Sequence, residues 1–166
     1  MKEADYIALL DKLVAEPSET QWLEFKHNFH SSEEIGERLS ALSNGAALCG
    51  HSYGYLVFGV KDETHEIIGT TFHANQSKVK GEDLEHWLLN RLNPRIDIET
   101  IECDYGEKHI SMYKIPAATD RPVSFLHKAY IRIKSITREL KDFPEKEAKL
   151  WTLNKHKLLN KVIVKT

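Results

Sequence analysis

The sequence is poor in cysteine: it has only Cys49 and Cys103 in 166 residues, and they form no CxxC pair. Structural zinc and redox motifs use that spacing, so both thiols are expected to be core or near-core groups in a reducing compartment. No run of about 18 apolar residues is present, so we expect no membrane-spanning helix and no membrane partner. The acidic N-terminus lacks the basic start and cleavage site of a signal peptide, which favours a cytoplasmic protein.

Phosphate-binding loops and catalytic triads are also missing. The glycines fit neither GxxxxGK[ST] nor GxGxxG, so no nucleotide cofactor is expected. No Ser/His/Asp or Cys/His set stands at a recognisable nucleophile elbow. Among nine histidines, His27 and His30 have HxxH spacing, but they follow a strand rather than lying on a clear helix. A zinc site is therefore not expected.

Charge is distributed unevenly along the chain. The composition, 41% hydrophobic and 29% charged, is that of a globular protein, and the length suits one domain. The net charge of −2 by itself gives no support for a polyanion partner, but its distribution is more informative: residues 1–120 hold 11 Lys and Arg against 21 Asp and Glu. Residues 121–166 hold 12 against 4. This asymmetry indicates a polyanion-binding surface, or else charges that interleave once the chain folds.

Four segments have the apolar spacing of amphipathic helices. The second begins at a capping box, Ser31 and Glu34, and is expected to fade between Gly45 and Gly50. The last begins with Pro144, a residue favoured in the first helical turn. Trp22, Trp87 and Trp151 are expected in or near the core. The predicted helices begin near residues 3, 31, 84 and 144.

About seven strands are predicted between these helices. In residues 22–26, Leu23 and Phe25 face one way and Glu24 faces the other. Residues 55–60 are nearly continuously apolar, which is typical of a central strand. Two hairpins are expected to turn near residues 104–106 and 126–128. This pattern predicts an α+β fold with a mixed or antiparallel sheet and flanking helices.

The predicted domain occupies residues 1–151. Residues 152–166 carry four lysines and no acid, so they are either a basic tail or the start of a further segment.

Three acids stand where predicted strands begin or end. Glu19 and Glu24 flank the start of the first strand, and Asp62 follows the strand of residues 55–60. Three converging carboxylates repel each other unless a divalent cation lies between them, and Mg²⁺ or Mn²⁺ prefers such oxygen ligands. The alternative is that Glu19 is solvated, Glu24 pairs with Lys26, and Asp62 stabilises its own turn.

Cations cluster on the last predicted hairpin. Tyr130, Arg132 and Lys134 alternate in sequence and so share one strand face. An aromatic ring beside cations suits backbone contact and base stacking, whereas an ordinary solvated edge strand is the alternative. Lys26 shares the strand face of Glu24. Two roles are open for it: contact with a phosphate, or neutralisation of Glu24. The candidate nucleic-acid-binding residues are Lys26, Arg121, Lys128, Tyr130, Arg132, Lys134 and Arg138.

The ordered set of motifs over about residues 18–151 resembles the Schlafen-type divergent AlbA-like domain, in its bacterial branch. These motifs are E-x4-E-F-K, A-x-x-N, G-Y-L-x-x-G-V-x-D, I-x-G, R-P-V, Y-I-R-I-K-S and L-W. The resemblance implies a DNA- or RNA-binding domain of a regulator or defence protein. One departure is a longer loop, residues 44–54, in place of the usual short link.

The resemblance also implies an alternative activity. In some Schlafen members three acids form a metal-dependent endoribonuclease site, and the matching acids here are Glu19, Glu24 and Asp62. A protein-interaction module, including one that forms a homodimer, is the third alternative. Salt-dependent nucleic-acid binding separates this third reading from the other two, and metal-dependent cleavage separates the enzyme from the binder.

Overall fold

The computed structural model describes residues 3–17 and 20–153, and in this part of the chain the longest element is a central helix. Helix α1 is Glu3–Val14, α2 is Ser32–Cys49 and α3 is Leu84–Leu89. Helix α4 covers residues 144–153 and begins at the predicted proline. No helix in the described ranges is long and apolar enough to cross a membrane.

Ten short strands form three sheets in the described residues. The first sheet has the order β1-β2-β7-β6; β1 and β2 are parallel and the other neighbours antiparallel. The second sheet, β10-β9-β8-β5, is antiparallel, and β3 pairs only with β4. The strands are β1 Leu23–Lys26, β2 Tyr53–Phe58, β3 Lys78–Val79, β4 Glu82–Asp83, β5 Leu92–Asn93, β6 Glu99–Tyr105, β7 Lys108–Pro116, β8 Ser124–Phe125, β9 Lys128–Ile133 and β10 Ile136–Glu139.

Helix α2 lies between the two four-stranded sheets. Its buried Leu39 and Leu42 share one apolar cluster with Phe58 of the first sheet and with Phe125 and Ile131 of the second. A second cluster fills the opposite face of the first sheet, where α1 covers it. The fold is therefore α+β, as predicted, and it brings β1 and β9 close enough for Glu24 and Arg132 to form an ion pair.

Helix α2 ends within the predicted range of residues 45–50: it continues to Cys49 and is capped by Gly50, whose φ is 75°. A Cβ at Gly45 would lie 1.9 Å from the backbone oxygen of Gln21, so the glycine permits close packing of α2 on the chain before β1. The long loop expected over residues 44–54 is thus only residues 50–52.

The strands of the described residues form three separate sheets rather than one. After β2 the chain makes an isolated bridge between Val60 and Ile67. Strand β9 ends at Ile133, so Lys134 lies in the turn before β10, with a positive φ of 57°. The two hairpins were predicted correctly, with turns at residues 106–107 and 126–127.

Candidate functional site

Glu24 is a buried carboxylate surrounded by cations. It lies on β1 and is 6% exposed, because its side chain points away from Phe25 and towards α2. Its Oε2 accepts a hydrogen bond from Arg38 Nε at 2.8 Å and lies 3.5 Å from Lys26 Nζ. Its Oε1 accepts from Arg132 Nε at 3.3 Å. A buried carboxylate requires such pairing, since an unpaired charge in the interior is strongly unfavourable.

Arg132 is the central cation of this site, and it is 1% exposed. Its NH1 group donates to the carbonyl oxygens of Thr20 at 2.6 Å and Lys134 at 2.8 Å. The planar guanidinium thereby joins β9, the chain before β1 and Glu24 in one network. The expectation of an exposed, phosphate-contacting Arg132 does not agree with this burial; its strand face is covered by α2 and β1 rather than by solvent.

Asp62 stands at the open side of the same network. Its Oδ1 lies 4.0 Å from the NH2 group of Arg132, and its side chain is 54% exposed. Glu24, Asp62 and Arg132 line one cavity of about 550 Å³, together with Lys61 and Ser135. Glu24 and Asp62 thus line the same cavity, and both lie beside the guanidinium of Arg132.

A divalent ion fits this arrangement poorly. Both oxygens of Glu24 are engaged by cationic side chains, and the guanidinium of Arg132 lies between Glu24 and Asp62. That group supplies the positive charge that a metal would bring to the two carboxylates. Glu19, the third predicted ligand, lies outside the described residues.

A second acid extends the ion-pair network on the α2 side. Glu34 accepts from Lys26 Nζ at 2.6 Å and from the NH2 group of Arg38 at 3.1 Å. Burial alone would raise the pKa of Glu34, but the hydrogen bond and charge of Lys26, with the charge of Arg38, lower it below its usual value. Lys26 is therefore shared between Glu24 and Glu34, which agrees with the neutralising role considered for it.

The remaining candidate residues differ in exposure. Arg121, Lys128, Lys134 and Arg138 are exposed, whereas Tyr130 is half-buried. Arg121 and Lys128 line a groove of about 370 Å³ that also contains Trp151. The expectation that Trp151 lies in or near the core is wrong, because it is 56% exposed on the outer side of α4.

Acids moderate the charge of this groove. Glu139 bridges Lys128 at 3.2 Å and Lys141 at 3.1 Å. The hydrogen bonds from Lys141 and Lys128 hold the pKa of Glu139 below its usual range. Arg121 forms no ion pair with any described residue, which leaves its guanidinium available to an anion.

One cluster with metal-ligating chemistry was missed by the sequence prediction. His73, Glu102 and His109 come from a loop and from two paired strands, and their ligand atoms lie within 4.8 Å of one another. Burial lowers the pKa of His109, but hydrogen bonds to Asp104 and Glu102 outweigh it and raise the pKa. The sequence contains one signal for this cluster: Glu102 and Asp104 alternate on one strand, and His109 and Ser111 alternate on the next. The signal can be used only when the strand register is known, because the register places His109 opposite Asp104.

Comparison with solved structures finds one protein whose fold is similar to this architecture and a second, weaker match. The DIP2311 protein from Corynebacterium diphtheriae is similar over 82% of this chain and 26% of its own, with 15% identity and a TM-score of 0.51. This chain thus spans about a quarter of that protein. The N-terminal domain of a RecG-related protein from Nitrosomonas europaea is similar over 71% of this chain and 75% of its own, with 22% identity and a TM-score of 0.46.

Sequence comparison identifies the family. No curated protein matches the chain. The family model described as Schlafen, AlbA_2 matches residues 19–141, which include β1, α2, the first sheet and the β8–β10 hairpins. The resemblance seen in the motifs is confirmed, and the chain belongs to the Schlafen AlbA_2 family.

Proposed function

We propose that this chain is a nucleic-acid-binding domain that holds the phosphate backbone along the groove of Arg121, Lys128 and Trp151. The observation that carries the proposal is an exposed aromatic ring in one groove with exposed cations. Cations neutralise phosphates and release counterions, and an exposed ring stacks on bases without regard to sequence. The family relationship supports a nucleic-acid-related role.

The charge of the surrounding chain supports the same conclusion. Between Asp120 and Asp142 the sequence has six Lys and Arg and a single acid, Glu139. Five of the six cations are exposed. The sixth, Arg132, is buried and pairs with Glu24. Lys134 and Arg138 lie on the β9–β10 hairpin and extend the basic surface beyond the groove.

The test is a salt titration of binding to labelled RNA and duplex DNA, measured by fluorescence anisotropy. The variant carries Arg121→Glu, Lys134→Glu and Arg138→Glu, three exposed residues without ion pairs to described residues. Affinity should fall for every sequence, and the salt slope should decrease by about 0.7–0.9 for each lost phosphate contact. Trp151→Ala should weaken single-stranded binding more than duplex binding.

A matched control reverses three exposed cations elsewhere: Lys12→Glu, Lys80→Glu and Arg95→Glu. It changes the net charge equally, so a general effect of charge would appear in both variants. Equal affinity and slope for the parent and the variant with Arg121→Glu, Lys134→Glu and Arg138→Glu would reject binding by the groove and by the basic surface that extends it. No salt-dependent binding by the parent would instead favour the protein-interaction or dimerisation module.

We propose a metal-dependent endoribonuclease with Glu19, Glu24 and Asp62 as the second candidate function. Its support is that Glu24 and Asp62 line one open cavity beside Lys61, a cation able to meet a phosphate. The buried guanidinium of Arg132 opposes it, because it already balances the two carboxylates. For this reason the binding function ranks first.

Asp62→Asn separates the two candidates. Under the nuclease reading, Mn²⁺-dependent cleavage of a labelled stem-loop RNA is lost together with metal affinity. If the chain only binds nucleic acid, the parent and the variant both leave the RNA intact and bind it equally. Their free energies of unfolding then differ by no more than about 1.5 kcal/mol, the contribution of one hydrogen bond in the turn. Cleavage by the parent that survives Asp62→Asn would contradict the assignment of these acids, and a thermal melt of each protein checks the fold.

A further inference from the structure

The β6–β7 hairpin carries a polar cluster on the face of the first sheet that also bears Leu56 and Phe58. Glu102 pairs with Ser111 and Asp104 pairs with His109 in the strand register, so these four side chains share one face. The loop that follows residue 70 crosses this face and adds His73, whose ring stacks on His109 with centroids 4.1 Å apart. This polar cluster is separate from the cavity of Glu24 and Asp62, and the proposed function does not use it.

We propose that His73, Glu102 and His109 bind a divalent transition metal of the zinc class. The Nε2 atom of His109 lies 2.8 Å from Glu102 Oε1, and the Nδ1 atom of His73 lies 3.8 Å from the same oxygen. In a tetrahedral zinc site, ligand atoms about 2.0–2.1 Å from the metal are roughly 3.3 Å apart. These two separations lie on either side of that value, and the ligand atoms of all three residues lie within 4.8 Å of one another. Because the rings of His73 and His109 are stacked, one ring has to rotate before both imidazoles bind the same ion.

Hydrogen bonds from neighbouring groups orient the proposed ligands, as in known metal sites. His109 donates from Nδ1 to Asp104 Oδ1 at 2.9 Å and from Nε2 to Glu102 Oε1 at 2.8 Å. A metal would replace the Nε2 proton, while Asp104 would keep accepting from Nδ1 and so orient the ring. The other oxygen of Glu102 accepts from Ser111 Oγ at 2.9 Å and from the backbone N–H of Asn75 at 3.2 Å. Glu102 Oε1 is therefore the atom left for the ion.

Ser111 fixes the loop as well as the carboxylate. It is completely buried, and its Oγ accepts from the backbone N–H of Ala74 at 3.0 Å while donating to Glu102. The residue next to His73 is thereby tied to the sheet before any metal arrives. Such preorganisation lowers the ordering cost of binding.

The donor set selects the class of metal. Two imidazoles and one carboxylate suit zinc and similar first-row ions, whereas Mg²⁺ prefers oxygen ligands alone. The side chains of His73, Glu102 and His109 are 40%, 16% and 21% exposed, so an ion can enter and the fourth position faces solvent. The bound metal would clamp the loop of residues 70–77 onto the β6–β7 hairpin.

Calorimetric titration of the EDTA-treated full chain with ZnCl₂, and visible absorption after Co²⁺ addition, test the proposal. We expect one ion per chain in this site and a Co²⁺ spectrum of tetrahedral type. His73→Ala, His109→Ala and Glu102→Gln should each weaken binding at least tenfold, and Asp104→Asn by about 10–100-fold. Zinc should also raise the melting temperature of the parent, because it binds only the folded chain, and this rise should vanish in His73→Ala.

Control variants keep the test specific. His86→Ala and His127→Ala remove exposed histidines outside the polar cluster and should bind zinc like the parent. Asp62→Asn should also bind zinc normally, which separates failure here from failure of the carboxylate site. The proposal is overturned if the parent binds no zinc, or if His73→Ala and His109→Ala bind it unchanged. Because His73 lies in a half-exposed loop, its variant remains informative even where His109→Ala fails to fold.

Discussion

At the scale of single residues, Arg132 is the residue on which the ion-pair network of the candidate site most depends. It is nearly inaccessible to solvent, yet it pairs with Glu24 and donates to two backbone carbonyls. Strand alternation relates Arg132 to Tyr130 within β9, but Lys134 lies in the turn beyond the strand, and alternation could not show what covers Arg132. The covering groups, Thr20 and Glu24, are more than 100 residues away in sequence.

Replacing Arg132 with methionine should be strongly destabilising. The substitution leaves a buried carboxylate with one fewer cation and two carbonyls without donors, so we expect a loss of about 3–5 kcal/mol in the free energy of unfolding. Arg132→Lys should recover only part of this, because an ammonium cannot reproduce the planar fork. Urea unfolding measures both variants.

The matched control for Arg132 is Arg138→Met, on the adjacent strand β10. Arg138 is exposed and its guanidinium lies 5.6 Å from the centre of the Phe143 ring, so its loss should cost less than about 1 kcal/mol. Equal losses for Arg132→Met and Arg138→Met would contradict the central role assigned to Arg132. Adding Glu24→Gln to Arg132→Met should recover only part of the stability, since it removes the carboxylate charge that lost a partner but leaves the carbonyls of Thr20 and Lys134 without a donor.

At the scale of elements, helix α2 organises the molecule because it contacts both large sheets. Asn44 is fully buried in its last turns; its amide donates to the carbonyls of Val123 and Tyr130, and its oxygen accepts from Val123 N–H. These bonds satisfy backbone groups at the junction of β8 and β9. The asparagine of the A-x-x-N motif is thus a structural connection between layers.

Gly45→Ala should destabilise the protein although it lies within a helix. Alanine at an exposed helical position is normally more stable than glycine by about 1 kcal/mol. Here the new Cβ would meet the backbone of Gln21, which cannot rotate away, so we expect a net loss of about 1–3 kcal/mol. Urea denaturation is the measurement, with Glu37→Ala on the same helix as the control. A stability gain for Gly45→Ala would show that α2 does not pack this closely.

At the scale of the whole molecule, two apolar clusters stabilise the described fold from opposite faces of the first sheet. One contains α2 and both large sheets, and the other lies beneath α1 and includes Cys103. Strands β2 and β7 contribute to both clusters, through Leu56 and Val57 and through Tyr113 and Met112. Because the same strands line both clusters, the two should unfold together.

The two thiols report on this cooperativity. Cys49 is exposed, whereas Cys103 is 3% exposed, and burial raises its pKa to about 11. A thiol reagent near pH 8 should therefore modify one cysteine in the native protein and the second only on unfolding. In urea, modification of Cys103 should follow the midpoint seen by circular dichroism. Reaction of Cys103 at clearly lower urea would show that the α1 layer opens separately, and Cys49→Ser confirms which thiol reacts first.

The sequence by itself determined the local features: the capping box of α2, the start of α4, the two hairpins, the α+β class and the family. Each depends on residues a few positions apart, whose spacing dictates which side chains share a face. Only the tertiary structure decided that Arg132 is buried against Glu24, that Trp151 is exposed, and that His73 meets Glu102 and His109. These outcomes depend on which surfaces cover one another, a property of packing between layers that periodicity along one strand or helix does not contain.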